Sequence, residues 1–180
     1  MIFISLGSNL PSSGDNFNRF ENIDSTIKTL SSNGYTIIKK SSYYETPSYP
    51  DKNNPKFINV TISLKSKNSD VSEEDIAKRL MYLIIQIENR YGRKRNKKNE
   101  PRSIDIDIID LNGKILEFKL SNKETIKIPH ERLSLRNFVL FPLKEICPDW
   151  IHPLTRKNID DLIDELSEID KKSILKVQHT

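Results

Sequence analysis

Asp105 and Asp107 are the residues of this chain whose types and spacing point most directly to chemistry. In the run Ile104-Asp105-Ile106-Asp107-Ile108, isoleucine alternates with aspartate, which is the side-chain period of a β-strand. Ile104, Ile106 and Ile108 then enter a core. The two carboxylates project together from the other face, their Cβ atoms roughly 6–7 Å apart. Like charges that close need a cation between them, or a proton on one of them. Asp110 falls out of phase with the pair, on the isoleucine side or in the turn.

A basic loop leads into this strand. Gly92-Arg93-Lys94-Arg95-Asn96-Lys97-Lys98-Asn99 carries five cations after its glycine, and Pro101-Arg102 follows. Arg93, Arg95 and Arg102 can meet anionic oxygens with paired donors, which lysine cannot. Such a loop cannot build a core, so mobility without ligand and ordering with it are expected. A carboxylate pair beside arginines is what metal-assisted phosphate chemistry requires, because magnesium takes one or two carboxylates plus phosphate oxygens. Elsewhere, Phe57 and Asn59 share the polar face of an alternating segment, and an amide can donate and accept at once to a heterocycle edge. A last cluster, Pro129-His130, Arg136 and Phe138, again sets a titratable group near arginines.

These residues must be positioned by a single domain of 180 residues. The mean hydropathy is −0.57 and 30% of residues are charged, yet the net charge is only +4, which permits an anionic ligand without demanding nucleic acid. Cys147 is the only cysteine, so no intrachain disulfide forms and no Cys/His zinc cluster exists. The apolar start Met1–Leu6 is too short for a signal h-region, and no run approaches a membrane span. A cytoplasmic protein with no membrane partner is expected.

Periodicity supplies the elements. Ile2–Leu6 reads as a strand. Phe17, Phe20, Ile23, Ile27 and Leu30 mark a helix from about Asp15 to Leu30, closed by Asn33-Gly34. Tyr35–Tyr44 reads as one strand, and Pro47, Pro50 and Pro55 then break regular structure. In Phe57–Leu64, Ile58, Val60, Ile62 and Leu64 line one face and Phe57, Asn59, Thr61 and Ser63 the other. Ser72 caps a second helix that runs to about Tyr91. Asn112-Gly113 predicts a hairpin turn, with Lys114–Phe118 and Thr125–Ile128 as returning strands. A short helix follows around Leu133–Leu140, and Asn158 caps a last one. The domain spans residues 1–170, and residues 171–180 are expected to be a loose tail. The order β-α-β-β-α-β predicts an α+β ferredoxin-like sandwich, a mostly antiparallel sheet with helices on both faces.

With these pieces in this order, the chain resembles the 6-hydroxymethyl-7,8-dihydropterin pyrophosphokinases of folate biosynthesis over about residues 1–155. The likeness rests on Leu6-Gly7-Ser8-Asn9, on Ser41-Ser42-Tyr43-Tyr44-Glu45-Thr46-Pro47 and on Phe57-Ile58-Asn59. It continues through Glu88 ahead of Gly92-Arg93, Pro101-Arg102-Ser103-Ile104-Asp105-Ile106-Asp107-Ile108, Ile128-Pro129-His130, Arg136, Phe138 and Phe141-Pro142-Leu143. The resemblance implies transfer of the β,γ-pyrophosphoryl group of ATP to the pterin hydroxymethyl oxygen, releasing AMP. It implies two Mg²⁺ ions on Asp105 and Asp107. It implies Arg93, Arg95, Arg102, His130 and Arg136 on ATP phosphates, with Glu88 and Ile108 on the nucleotide side and Ile108 backbone bordering adenine. Arg93, Arg102 and Asp107 would act most directly in catalysis. Asn59, with Thr46, Pro47 and Tyr49, would read the pterin edge, and Phe57 and Phe138 would pack on its ring. A monomer working on small molecules is expected.

The chain departs from the family's pattern in places. Asn99 and Glu100 stand where some members carry a tryptophan. Ile85 replaces a glutamine that contacts adenine, a contact Gln86 could supply. Glu131 replaces a common tyrosine, its charge to be offset by Arg132. An RNA-binding module shares the element order, but its aromatic signature is missing and Asp105 and Asp107 would repel phosphate without metal.

Overall fold

The computed structural model describes residues 1–12, 14–68, 70–93, 100–120 and 124–179. The chain forms, in order, β1 (Ile2–Ser8), α1 (Arg19–Ser32), β2 (Tyr35–Lys40), β3 (Tyr43–Thr46), β4 (Phe57–Ser66), α2 (Glu73–Arg90), β5 (Asp105–Leu111), β6 (Leu116–Lys119) and β7 (Thr125–Ile128). A 3₁₀ turn at Leu133–Leu135, α3 (Asn137–Ile146), α4 (Ile159–Asp164), α5 (Glu168–Lys172) and β8 (Leu175–Val177) complete it. The main sheet is antiparallel in the order β5-β1-β4-β3-β8, with β2 also on β4. This is the α+β ferredoxin-like arrangement that the element order predicts.

The alternation read from the sequence decides the two faces. Ile2, Ile4 and Leu6 of β1, Ile58, Val60, Ile62 and Leu64 of β4, and Ile106 and Ile108 of β5 are buried together. Ile23 and Leu30 of α1 and Ile76, Leu80, Ile84 and Ile87 of α2 cover them. On the other face, Phe3 and Ile109 pack under α3 and α4 through Val139, Leu140, Leu143, Ile159 and Leu162, with Trp150. The helices thus lie on both faces, but α3 covers only part of the second one. The part that α3 does not cover carries the half-buried Asp105 and Asp107, and the buried Asn59 shares their face.

Several boundaries differ from the sequence reading, each for a physical reason. Helix α1 starts at Arg19, not near Asp15, because Asn18 caps it: its Oδ1 accepts from Phe20 N at 2.9 Å and Glu21 N at 3.1 Å, and Glu21 Oε2 accepts from Asn18 N at 2.8 Å. The single strand expected over Tyr35–Tyr44 is two, β2 and β3, both on β4. The break falls at Ser41, whose N donates to Thr61 O at 2.9 Å and whose Oγ accepts from Thr61 N at 3.0 Å. One short side chain thereby fills the gap in the ladder.

Asn112 and Gly113 do turn tightly, with φ of 55° and 66°. The returning strands nevertheless pair with each other as a separate two-stranded sheet and leave β5 unpaired on that side. The outer edge of β5 is already engaged: Glu88 Oε1 accepts from Ile106 N at 3.2 Å, and Ile109 O accepts from His130 N at 3.3 Å. The short helix expected around Leu133–Leu140 is a 3₁₀ turn followed by α3, which begins only at Asn137. The tail expected to be loose instead forms β8 on β3, and His179 stacks on Phe20 with ring centroids 4.7 Å apart. Apolar Leu175 and Val177 alternate around Lys176, and β3 offers a free edge, which is sufficient for strand addition.

Candidate functional site

The register of the sheet assembles the site. Gly7 of β1 lies opposite Asn59 of β4 and opposite Asp105 of β5; Ser5 lies between Thr61 and Asp107 in the next row. Directly opposed residues share a face, so Asn59, Gly7 and Asp105 form one row across the sheet. Two strand spacings separate Asn59 from Asp105, about 10 Å between their backbones. A Cβ on Gly7 would lie 3.3 Å from Asn59 Oδ1 and 3.4 Å from the Phe57 ring, so the missing side chain makes room for both at the centre of the row.

The acidic end of the row is held by three arginines. Asp105 Oδ1 meets Arg93 Nη1 at 2.9 Å and Arg102 Nη1 at 3.1 Å. Asp107 Oδ2 meets Arg136 Nη1 at 2.7 Å, with His130 Nε2 at 3.9 Å. Arg93 also pairs with the buried Glu88 carboxylate, which accepts from the β5 backbone as well. Glu88 is therefore an anchor that ties Arg93 to the strand carrying Asp105. Arg95, Lys94 and Asn99 lie outside the described residues, as does the basic loop's expected mobility.

Burial lowers the His130 pKa; Arg136 and Arg132 push the same way, and Asp107 only partly opposes them. The neutral ring is consistent with Nδ1 accepting from Arg132 N at 3.1 Å. His130 reaches Asp107 because β5 bulges. Phe3 pairs with Asp110 and Ile4 with Ile108, so Ile109 is the extra residue, and its carbonyl receives His130 N. Beyond the bulge, Asp110 is buried and supports structure: its Oδ2 accepts from Trp150 Nε1 at 2.9 Å and its Oδ1 from Gly113 N at 3.0 Å. Alternation placed Asp110 on the isoleucine side or in the turn, but the bulge returns it, opposite Phe3, to the face of Asp107 within β5; the Trp150 indole and Gly113 N, not strand phase, keep it out of the acidic pair.

A cleft of about 390 Å³ opens along the outer edge of β5, between α2 and β7. Ile108, Glu88, Arg93, Asp107 and His130 line it together, whereas Arg102 and Arg136, also assigned to the phosphates, reach the acidic pair from outside it. Glu131 pairs with Lys127 Nζ at 2.5 Å, so its charge is offset by that lysine where Arg132 was expected. Gln86 lines a different cleft, with Asn33, Tyr35 and Arg79, and Ile85 packs against the core. Neither residue borders the β5 cleft.

At the other end of the row, Asn59 is 3% exposed. Its Nδ2 donates to Thr46 Oγ1 at 3.0 Å and to Tyr44 O at 3.3 Å, which orients the amide. Thr46 lies opposite Phe57 at the end of β3, Pro47 follows half-buried, and Tyr49 is exposed. Arg136 Cζ sits 5.4 Å from the centroid of the half-buried Phe138 ring. The described residues assigned to the two substrates thus fall on one sheet face and its β5 edge.

Two positioning residues escaped the sequence reading as such. Asn9 Oδ1 accepts from Arg102 N at 2.7 Å, while its Nδ2 donates to Ser48 Oγ at 3.2 Å and Pro55 O at 3.0 Å. It joins the arginine segment to the loop between β3 and β4. Asn22, fully buried in α1, donates to Leu10 O at 2.9 Å and Ser103 O at 3.1 Å. Its one sequence signal is an amide beside Ile23 on an apolar helix stripe.

The donor set suits a magnesium site. The arginine contacts given above fall on one oxygen of each aspartate, and no group of three or more His, Cys, Asp or Glu gathers among the described residues. Two carboxylates with open coordination left for phosphates are what magnesium accepts.

Comparison with known proteins gives a consistent picture. Residues 3–148 match the family described as 7,8-dihydro-6-hydroxymethylpterin-pyrophosphokinase. The 2-amino-4-hydroxy-6-hydroxymethyldihydropteridine pyrophosphokinase of Aquifex aeolicus is 34% identical over 160 residues, 89% of this chain and 88% of that one. The folic acid synthesis protein fol1 of Pneumocystis carinii is 32% identical over 174 residues, 97% of this chain. This chain spans only 21% of that relative's length. A Plasmodium falciparum HPPK-DHPS crystal structure superposes with a TM-score of 0.71 at 14% identity, covering 99% of this chain and 46% of that one, a likeness of fold alone.

Proposed function

Because the chain belongs to the 7,8-dihydro-6-hydroxymethylpterin-pyrophosphokinase family, we propose that it transfers pyrophosphate from ATP to the hydroxymethyl group of 6-hydroxymethyl-7,8-dihydropterin and releases AMP, a step of folate biosynthesis. The row Asn59-Gly7-Asp105 carries this reading, because it sets an oriented amide and an acidic pair about 10 Å apart on one sheet face. A bicyclic heterocycle held at Asn59 brings its exocyclic hydroxyl toward phosphates held at Asp105 and Asp107.

Positioning and charge neutralisation do most of the work in such a transfer. Asn59 presents an amide edge that Thr46 and the Tyr44 carbonyl have already oriented. Phe57 and Phe138 flank the ring. Arg93, Arg102 and Arg136 are poised to exchange their carboxylate contacts for phosphate oxygens, and neutral His130 can donate from Nε2 without adding charge. Arg95 and the other cations of the basic loop would join them. Asp105 and Asp107 would hold two magnesium ions, which when bound neutralise the triphosphate and align the attacking and leaving oxygens. Asp107 lies where it could receive the hydroxyl proton.

We further propose a monomer acting in the cytoplasm without nucleic-acid or membrane partners. One chain supplies every group named here, and no described helix is long and apolar enough to cross a membrane. Incubation with ATP, Mg²⁺ and the hydroxymethyl dihydropterin should yield one AMP per pterin consumed. Folded protein that binds both substrates yet makes no AMP overturns the assignment and identifies a non-catalytic relative.

A further inference from the structure

Asn137 separates two residues assigned to the substrates, Arg136 and Phe138, and is itself 8% exposed. Its side chain makes contacts with a distant part of the chain. Nδ2 donates to Asp170 O at 2.6 Å and to Ser173 Oγ at 2.9 Å, across separations of 33 and 36 residues. Its Oδ1 accepts from Phe138 N at 2.7 Å. Ser173 Oγ in turn donates to Asp170 O at 2.9 Å, so the turn that closes α5 is built to receive the amide. Three residues on, the same segment reaches the other end of α3, where Lys176 Nζ lies 3.4 Å from Glu145 Oε2. Glu145 also accepts from Tyr44 Oη at 2.6 Å and Ser42 Oγ at 2.8 Å.

The segment 170–177 therefore braces α3 at both ends. A short helix moves as a body, so a shift at its start would carry Arg136 away from Asp107 and swing Phe138 with it. We propose that Asn137 is a positioning residue, a strut that fixes the start of α3 against the 170–173 turn and thereby sets Arg136 and Phe138 toward the substrates. This rests on the reading above that those two residues face the reactants.

Two variants separate the strut from simple helix capping. Asn137→Asp keeps an oxygen for Phe138 N and for the Ser173 hydroxyl, but it cannot donate to Asp170 O. Asn137→Ala loses everything. With a strut, both lower kcat about 10- to 100-fold, the scale of an ångström of misplacement. The KM for ATP rises by less than kcat falls, because Arg93 and Arg102, on other elements, still meet the phosphates when Arg136 shifts. Ser173→Ala should shift kcat in the same direction by less. Folded Asn137→Asp and Asn137→Ala with wild-type kcat overturn the inference, as does a loss that follows melting temperature and vanishes on cooling. If wild-type protein makes no AMP, the pyrophosphokinase reading fails by itself. The strut is then judged by amide exchange at Phe138 and Val139, which quickens in both variants if it exists and is unchanged if it does not.

Discussion

Arg136 Nη1 donates to Asp107 Oδ2 at 2.7 Å, joining the residue just before α3 to the strand of the acidic pair. These two residues are 29 apart in sequence. The bond requires that α3 pack over Phe3 and Ile109, so the core on that face and the site share one set of contacts. The arginine neutralises the carboxylate, and under the function proposed above the same guanidinium would turn to a phosphate of ATP.

Replacing Arg136 by alanine should therefore leave the fold intact and lower kcat/KM by about 10²–10³, the usual cost of one electrostatic stabiliser of the transition state. Arg136→Lys should recover only part, because a point charge replaces a fork. Steady-state AMP formation measures both.

Asp107→Ala should cost several kcal/mol in the transition state, at least about a hundred-fold in rate. The residual activity should need more Mg²⁺ than wild type, and EDTA should abolish turnover of either protein. Near-wild-type turnover by Asp107→Ala would show that the strand is only structural.

Gly7→Ala tests the crowded centre of the row. The added methyl presses on Asn59 Oδ1 at 3.3 Å and on Phe57 at 3.4 Å. The KM for pterin should rise, the KM for ATP should hold, and stability should fall by about 1–3 kcal/mol as the buried neighbours are overpacked. An equal rise in both KM values would place the pterin elsewhere.

Glu88→Ala should destabilise the fold by about 2 kcal/mol, since it strips a buried carboxylate from Ile106 N and from Arg93, which is itself partly solvated. Urea unfolding measures the loss. Glu88→Gln keeps an acceptor for Ile106 N and should cost less.

His152 predicts an acid-side loss of stability. Burial lowers its pKa from 6.5, and Nδ1 accepts from Leu154 N at 3.1 Å and Thr155 N at 3.3 Å. The unfolded chain takes up this proton first, so the contribution is complete above pH 6.5 and falls as pH drops below it. His152→Asn keeps an acceptor that does not titrate, and melting curves between pH 7 and 5 should flatten for the variant.

The amino-acid sequence by itself determined what local periodicity can determine. Alternation along β5 put Asp105 and Asp107 on one face, and alternation along β4 set Asn59 beside Phe57; the same alternation misplaced Asp110, which the bulge turns back to the face of Asp107. Helical spacing and Ser72 located α2. Only tertiary structure decided what faces what. It placed Gly7 between Asn59 and Asp105, bulged β5 at Ile109 so that His130 reaches Asp107, and gave the β5 edge to Glu88 instead of β6. It also split one expected strand at Ser41 and turned an expected loose tail into β8 and the support of Asn137. The reason is common to all of these. A strand's pleat or a helix's stripe is fixed by neighbours two to four residues away, whereas pairing register and buried hydrogen bonds join groups tens of residues apart. Such partners are selected by the packed whole, and no short window of sequence contains both ends.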